Sequence, residues 1–257
     1  MSAQPRIDPI RDHYFRVLER CEKITDRLFF VSAVLALATV FTDQSYPTLT
    51  SPLQLVFVVI VCAMLVLDVT SRFFLSPRGA DARLKDFWAK VYNRPLTTET
   101  TVGYFNSEEA STSRRAAAQV LENVLFTKTI VTHMLRSFLP LAAASLIALL
   151  SIWIYRGTSM SLVASVTQVV LAEQIFVRGI RMFWLKRRCD DLFDDLQQLF
   201  LADHSGEVFA ALAFGYITKY EASKALASIT LSDSIFEKVN PELSVKWEEI
   251  KPRLGIT

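Results

Sequence analysis

Five polar side chains lie within an otherwise apolar stretch, residues 159–188, that is long enough to cross a bilayer. They are Gln168, Glu173, Gln174, Arg178 and Arg181, and the basic residues Lys186, Arg187 and Arg188 follow them. Hydrocarbon offers such groups no hydrogen-bond partner, so polar residues at membrane depth pair with one another or face water. We therefore predict that one side of this helix faces protein or a water-filled space.

A second set of charges, Asp68 and Arg72, lies at the end of another apolar run. Asp68 and Glu173 each lie roughly 20 Å along their helices from the outer side, in the inner third of the membrane. Two roles are open. Gln168, Glu173, Gln174 and Asp68 line a water-filled path or the centre of an oligomer, with Arg72, Arg178 and Arg181 at its inner mouth. Alternatively, Glu173 or Asp68 pairs with Arg72 or Arg178 and holds the helices together.

The remaining candidates for chemistry are weak. Asp190, Asp191, Asp194 and Asp195 form i, i+4 pairs without converging histidines, which is typical of a solvated helix face rather than a metal site. The three cysteines, Cys21, Cys62 and Cys189, fit no disulfide, redox or metal pattern. No Ser–His–Asp or Cys–His arrangement is readable. We predict no catalytic residue, no metal site, no cofactor and no enzymatic activity.

Four apolar runs must position these side chains. The chain has 257 residues, 51% of them apolar, with mean hydropathy +0.29. The runs are residues 28–41, 53–67, 138–155 and 159–188. A membrane span needs roughly 20 residues and at least ~17, so the first run must recruit flanking residues. No strand pattern is visible, and the segments between the runs have helical periodicity.

These patterns predict an all-α membrane protein with four transmembrane helices and a helical cytoplasmic domain. Pro77 and Gly79 indicate a break after the second run. The predicted segments are 1–27 (a cytoplasmic amphipathic helix), 28–75 (spans one and two), 76–135 (a helical cytoplasmic insert), 136–188 (spans three and four) and 189–257 (a helical cytoplasmic C-terminal segment).

The distribution of basic residues predicts the orientation of the spans. Of the 28 lysines and arginines, 6 lie in residues 1–27, 10 in 71–137 and 11 from residue 178 onward. The loop between the first two runs has none, and the loop between the last two has only Arg156. Because cytoplasmic loops retain lysine and arginine, both termini and the insert are predicted to be cytoplasmic.

Two stretches carry a family resemblance: ADARLKDFWAKVYN at residues 80–93 and YFNSEEASTSRRAAAQVLENVLFTK at residues 104–128. With the four-span layout, they resemble the bacterial S-4TM pore-forming effectors and the related SLATT membrane effectors. The resemblance implies a module of anti-phage defence in the bacterial inner membrane, which responds to a nucleotide second messenger or a partner protein and permeabilises the membrane. It assigns no binding residue; a basic face around Arg83, Lys85, Arg114 and Arg115 is one hypothesis for the messenger site.

Three functions remain as hypotheses. The first is a homo-oligomeric effector that forms or gates a pore, with the last span near the pore. The second is a non-conducting membrane anchor whose cytoplasmic helices recruit a partner. The third is a small transporter, which the absence of likeness between the two halves disfavours. The expected partners are membrane lipid, other copies of the chain and the messenger or partner protein, and no nucleic acid.

Overall fold

Helices form all the regular secondary structure in the part of the chain that the computed structural model describes. That part comprises residues 8–45, 47–102, 109, 111–154, 173–202 and 204–256. The α-helices are α1 (Arg16–Ser45), α2 (Pro47–Thr70), α3 (Ser76–Tyr92), α4 (Thr112–Ile154), α5 (Arg178–Leu201), α6 (Gly206–Ala227) and α7 (Asp233–Arg253). Short π-helical segments lie at Arg11–Phe15, Ser71–Leu75 and Glu173–Val177. The all-α prediction is confirmed for these residues.

The predicted break at Pro77 and Gly79 is wrong, because α2 continues into α3 through the π-helical segment Ser71–Leu75. The backbone N–H of Ser76 donates to the carbonyl of Ser71, five residues back. Proline has no N–H and normally interrupts the i to i−4 ladder. Here the proline follows a turn that has already shifted the hydrogen-bond register by one residue, so the helix passes through it.

The chain divides into two compact units. Unit 1 comprises Met1–His13, Arg78–Arg136 and Arg181–Thr257, and unit 2 comprises Tyr14–Pro77 and Ser137–Ile180. Unit 1 is therefore assembled from three separate pieces of chain. Its N-terminal piece is held by ion pairs of Asp8 with Arg83 (2.8 Å) and of Arg11 with Asp233 (2.9 Å), and by the fully buried Ile10.

The first half of α4 forms the centre of unit 1. Six consecutive residues from Ala116 to Leu121 are buried, so the helix is enclosed on every side. A helix buried around its whole circumference belongs to a core, and three successive alanines allow neighbouring helices to approach closely. Leu192 and Leu196 of α5 and Tyr220 of α6 are also buried in this unit. The Tyr220 hydroxyl lies 2.8 Å from the Thr127 hydroxyl, which satisfies both buried groups.

The helices of unit 2 expose apolar surface. Val34 of α1 and Leu55 of α2 are each 66% exposed, and Ile154 of α4 is 80% exposed. Two continuous helices, Ser51–Tyr92 and Thr112–Ser151, are long and apolar enough to cross a membrane. In the most apolar 18-residue segment of each helix, 0% of the residues of the first and 6% of the residues of the second are buried. A core helix of a soluble protein would bury that segment, so the exposure favours lipid contact.

Those two helices contain the second and third predicted spans. The first predicted span is part of α1, and residues 159–172, about half of the fourth run, lie outside the described residues. The four-span topology and the orientation of the termini therefore stay predictions.

Cys189 of α5 gives a test of the core of unit 1. Its side chain is fully buried, and burial, together with the Asp190 carboxylate, raises the pKa of the thiol to about 12. At pH 8 the thiolate fraction is roughly a thousandfold lower than for an ordinary thiol, and the thiolate is the reactive form. In a Cys21→Ser, Cys62→Ala background, we expect Cys189 to react with iodoacetamide at least a thousandfold more slowly in folded than in denatured protein.

The same shift sets a pH dependence. Because the pKa of Cys189 is higher in the folded chain, the unfolded chain loses this proton first as the pH rises above 9. The contribution of Cys189 to the free energy of unfolding is therefore complete below pH 9 and is lost between pH 9 and 12. The free energy of unfolding should fall less over this range in Cys189→Ala than in the wild type. In the labelling experiment, a reaction of Cys189 with iodoacetamide in folded protein at a rate within tenfold of the rate in denatured protein would contradict its burial.

Candidate functional site

Asp68 and Arg72 form an ion pair beside the apolar segments of unit 2. Asp68 lies in the last turn of α2, Arg72 lies in the following π-helical segment, and the Arg72 Nε donates to an Asp68 carboxylate oxygen at 3.1 Å. Both side chains are about one-third exposed. The pair neutralises two charges at the end of an apolar helix, where an unpaired charge is costly. This is the pairing that the structural alternative anticipated for Asp68.

The second pair joins Arg178, the first residue of α5, to Asp26 of α1. Arg178 Nη1 donates to both carboxylate oxygens of Asp26, at 2.9 and 3.1 Å. Sequence reasoning missed Asp26 as a partner, because it lies among charged residues before the first apolar run. One signal was available: Asp26 is the last acidic residue before the first run, and Arg178 is the first basic residue within the last run.

The other predicted site residues are placed only in part. Gln168 lies outside the described residues. Glu173 and Gln174 begin the π-helical segment Glu173–Val177, and Arg181 is half-buried on α5. In a regular α-helix, Gln174, Arg178 and Arg181 would share one face by i, i+4, i+7 spacing. A π-helical turn shifts that spacing by one residue, so the i, i+4 relation of Gln174 to Arg178 does not hold.

The start of α5 lies close to α4. A Cβ placed on Gly179 would lie 3.2 Å from Phe138 Cε1, which is tighter than an ordinary van der Waals contact. The residue beside Arg178 is therefore small because a side chain of α4 occupies the space. Together with the Asp26 pair, this contact fixes the beginning of α5 against two other helices of unit 2.

The basic residues considered for a messenger site are engaged in intramolecular contacts. Arg83 pairs with Asp8 at 2.8 Å, and Lys85 pairs with Asp81 at 2.7 Å. The Arg114 guanidinium contacts Glu109 and the carbonyl of Gly255, and Arg115 donates to the carbonyls of Glu109 and Val91. These contacts give the arginines a role in stabilising the fold. An anion that bound to any of these side chains would have to compete with the carboxylate or carbonyl that it already contacts.

The acidic group on α5 is paired in the same way. Asp190 contacts Lys186 at 2.6 Å, Asp191 contacts Arg187 at 3.6 Å, and Asp195 contacts Lys219 at 3.0 Å. Asp194 is exposed. In the part of the chain that the structure describes, no group of His, Cys, Asp and Glu side chains has the arrangement of a metal site. The group is an ion-paired outer face of α5.

Unit 2 thus has two ion pairs beside its apolar segments, Asp68–Arg72 and Asp26–Arg178, and unit 1 has an apolar helical core with ion pairs around it. Comparison with protein-family models, curated proteins and solved structures finds no match to this chain. Function must therefore be argued from these helices and pairs.

Reversing one charge tests the Arg178–Asp26 pair. We expect Asp26→Arg to lower the free energy of unfolding by about 1–2 kcal/mol, because two guanidiniums would meet where a partly exposed pair is worth about 1 kcal/mol. The double variant Asp26→Arg, Arg178→Asp should recover most of that loss. Thermal unfolding of the full chain in detergent micelles measures both, with Glu242→Arg on an exposed site as the control. A double variant no better than the single one would contradict the pair.

Proposed function

We propose that this chain is a multi-spanning protein of the bacterial inner membrane, with four spans and both termini in the cytoplasm. The observation that carries the proposal is the exposure of the helices Ser51–Tyr92 and Thr112–Ser151. In the most apolar 18-residue segment of each helix, 0% and 6% of the residues are buried, respectively. Exposed apolar surface of this kind is energetically favourable in contact with lipid and unfavourable in contact with water. The distribution of the 28 basic residues supports the orientation.

We further propose that copies of the chain associate and form or gate a pore. The Asp68–Arg72 and Asp26–Arg178 ion pairs account for these four residues as structural charges. Gln168, Glu173 and Gln174 are further polar residues of the last apolar run. In a pore they would meet water, which hydrocarbon cannot replace as a hydrogen-bond partner.

The layout supports a biological role as well. By its resemblance to the S-4TM and SLATT effectors, the pore would permeabilise the membrane of an infected cell as part of anti-phage defence. A nucleotide messenger or a partner protein would act on the helices of unit 1. Because Arg83, Arg114 and Arg115 already have intramolecular partners, they are poor candidates for that contact.

Release of a dye from liposomes that contain the purified protein tests the pore. We expect Glu173→Gln and Gln168→Leu to change the release rate at least severalfold, because they alter the polarity of the path. The exposed Glu242→Gln serves as the matched control and should release at the wild-type rate. If correctly oriented wild-type protein releases nothing, with or without nucleotides and cell extract, the pore proposal fails and the anchor hypothesis takes its place.

A further inference from the structure

One side of α5 changes from aromatic to basic within two helical turns. Its residues are neighbours at spacings of three and four: Phe183, Trp184, Arg187 and Arg188. Phe183 is 61% exposed and Trp184 is 36% exposed, and the Arg187 side chain is 73% exposed. The opposite side of the same turns consists of buried residues: Met182, Leu185 and Cys189. The outer side of α5 therefore presents large aromatic rings and guanidinium groups together.

Arg188 differs from the two basic residues that precede it. Lys186 and Arg187 each contact a carboxylate four residues farther along α5, whereas the residue four positions after Arg188 is the buried Leu192. Within the described residues, Arg188 forms no ion pair, and its buried Nε has no hydrogen-bond acceptor. Buried donors without an acceptor are rare in folded proteins, and one of them calls for a water, an ion or a ligand as its partner.

The ring of Trp184 holds the Arg188 guanidinium in place. The guanidinium carbon lies over this ring, 5.9 Å from its centroid, which is within the range of a cation–π contact. Such a contact uses none of the N–H donors of the arginine. Because a guanidinium presents its donors as a fixed fork that fits the oxygens of a phosphate, Arg188 is oriented for a phosphate contact.

Arg187 can supply a second contact at little cost. Its Nε lies 3.6 Å from Asp191, and the two side chains are 73% and 43% exposed. An exposed ion pair at this distance contributes little to stability, so the Arg187 guanidinium is available to another anion. One phosphate beside this side of α5 can therefore meet two guanidiniums.

We propose that this side of α5 binds an anionic phospholipid, an inference that rests on the proposed membrane location. The lipid phosphate contacts Arg188 and Arg187, and the acyl chains lie along Phe183 and Trp184. Tryptophan and other aromatic residues are enriched at the level of the headgroups. Arginines that directly follow a span on its cytoplasmic side attract anionic lipid.

The exposed rings favour a lipid over a soluble phosphate. Phe183 and Trp184 lie at the end of the last apolar run, residues 159–188, where aromatic surface gives way to charge. A soluble phosphate would satisfy the guanidiniums and leave both rings in water, which is unfavourable for apolar surface. A phospholipid covers the rings and the charges with one molecule.

Lipid binding to the full chain in neutral detergent micelles tests the site. Native mass spectrometry measures the affinity for phosphatidylglycerol, which is anionic, and for phosphatidylcholine, which has no net charge. We expect Arg188→Gln to weaken phosphatidylglycerol binding about fivefold, the effect of one basic residue near an anionic surface. Arg253→Gln is the matched control, because Arg253 is exposed at the end of α7 and forms no ion pair within the described residues. Equal affinities of these two variants would overturn the proposal.

Two further measurements separate a lipid site from general attraction of anions. Arg188→Lys keeps the charge and loses the fork, so it should bind phosphatidylglycerol more weakly than the wild type does. Wild-type affinity in Arg188→Lys would mean that charge alone attracts the lipid, and the site would be wrong. Inorganic phosphate in millimolar amounts should leave the bound lipid in place. If it displaces the lipid, the ligand is a soluble anion and the lipid proposal fails.

Alkaline extraction of membranes distinguishes this inference from the proposed function. A chain retained in the membrane that binds phosphatidylglycerol and phosphatidylcholine equally would overturn the lipid site and leave the membrane location standing. A chain released by the extraction would overturn the membrane proposal itself.

Discussion

Arg114→Ala is expected to lower the free energy of unfolding by about 3 kcal/mol, because it removes an ionic contact to a buried carboxylate together with the guanidinium's contacts to two aromatic rings. The Arg114 Nε lies 3.2 Å from Glu109, whose side chain is only 8% exposed. Its Nη2 donates to the Gly255 carbonyl at 3.1 Å, and its guanidinium carbon lies 5.2 Å from the Phe200 ring and 5.4 Å from the Phe209 ring. One side chain thus ties α4 to α5, α6 and the C-terminal residues.

The C-terminal contact depends on a defined cap. Gly255 follows α7 with a φ of +63°, and the N–H groups of Gly255 and Ile256 donate to the carbonyls of Pro252 and Lys251. This is a Schellman arrangement, in which a glycine adopts the left-handed conformation after a helix. It presents the Gly255 carbonyl to Arg114 and buries Ile256. Lysine cannot reproduce the forked donors, so Arg114→Lys should recover little of the lost stability.

Chemical denaturation of the full chain in micelles measures these effects. Arg187→Ala is the matched control, because that arginine is 73% exposed and its Asp191 pair should contribute no more than about 0.5 kcal/mol. A stable Arg114→Ala protein that has lost affinity for a nucleotide would reverse the conclusion and make Arg114 a ligand contact.

The sequence indicated helices well where periodicity and composition agree. The insert at residues 76–135 was predicted to be helical, and Phe87 and Val91, four residues apart on α3, are both buried. Helix continuity was harder to predict. Pro77 and Gly79 were predicted to break the helix after the second run, yet α2 runs into α3, and Pro140 likewise lies inside α4. A proline stops a helix only where the lost hydrogen bond matters, and a π-helical turn or a packed neighbour removes that condition.

Side-chain partners were least predictable. Asp68 and Arg72 are four residues apart, so their pairing is visible in the sequence. Asp26 and Arg178 are 152 residues apart, and only the packing of α1 with α5 joins them. The environment of Asp86 was equally hard to predict. In the sequence, Asp86 precedes Lys90 by four residues, which predicts a solvent-exposed ion pair on α3. Its complete burial depends on how the connection after α3 folds back over it.

That burial gives the second large prediction. Both oxygens of the fully buried Asp86 carboxylate accept from Thr101, one from its backbone N–H at 3.2 Å and one from its hydroxyl at 2.6 Å. Lys90, which also contacts the Thr101 hydroxyl, lies 3.6 Å away. We expect Asp86→Ala to lower the free energy of unfolding by about 3–5 kcal/mol, because it removes the carboxylate beside the half-buried Lys90 ammonium and the acceptor of the buried Thr101 N–H and hydroxyl.

Two variants separate the charge from the hydrogen bonds. Asp86→Asn keeps an acceptor for Thr101 but loses the pair with Lys90, so its stability should lie between those of wild type and Asp86→Ala. Asp81→Ala removes an exposed acid on the same helix, 2.7 Å from Lys85 and 61% exposed, and should cost no more than about 0.5 kcal/mol. If Asp81→Ala and Asp86→Ala unfold at the same denaturant concentration, the Thr101 connection does not depend on Asp86. A large difference would mean that one buried carboxylate holds the connection from α3 toward the central helix of unit 1.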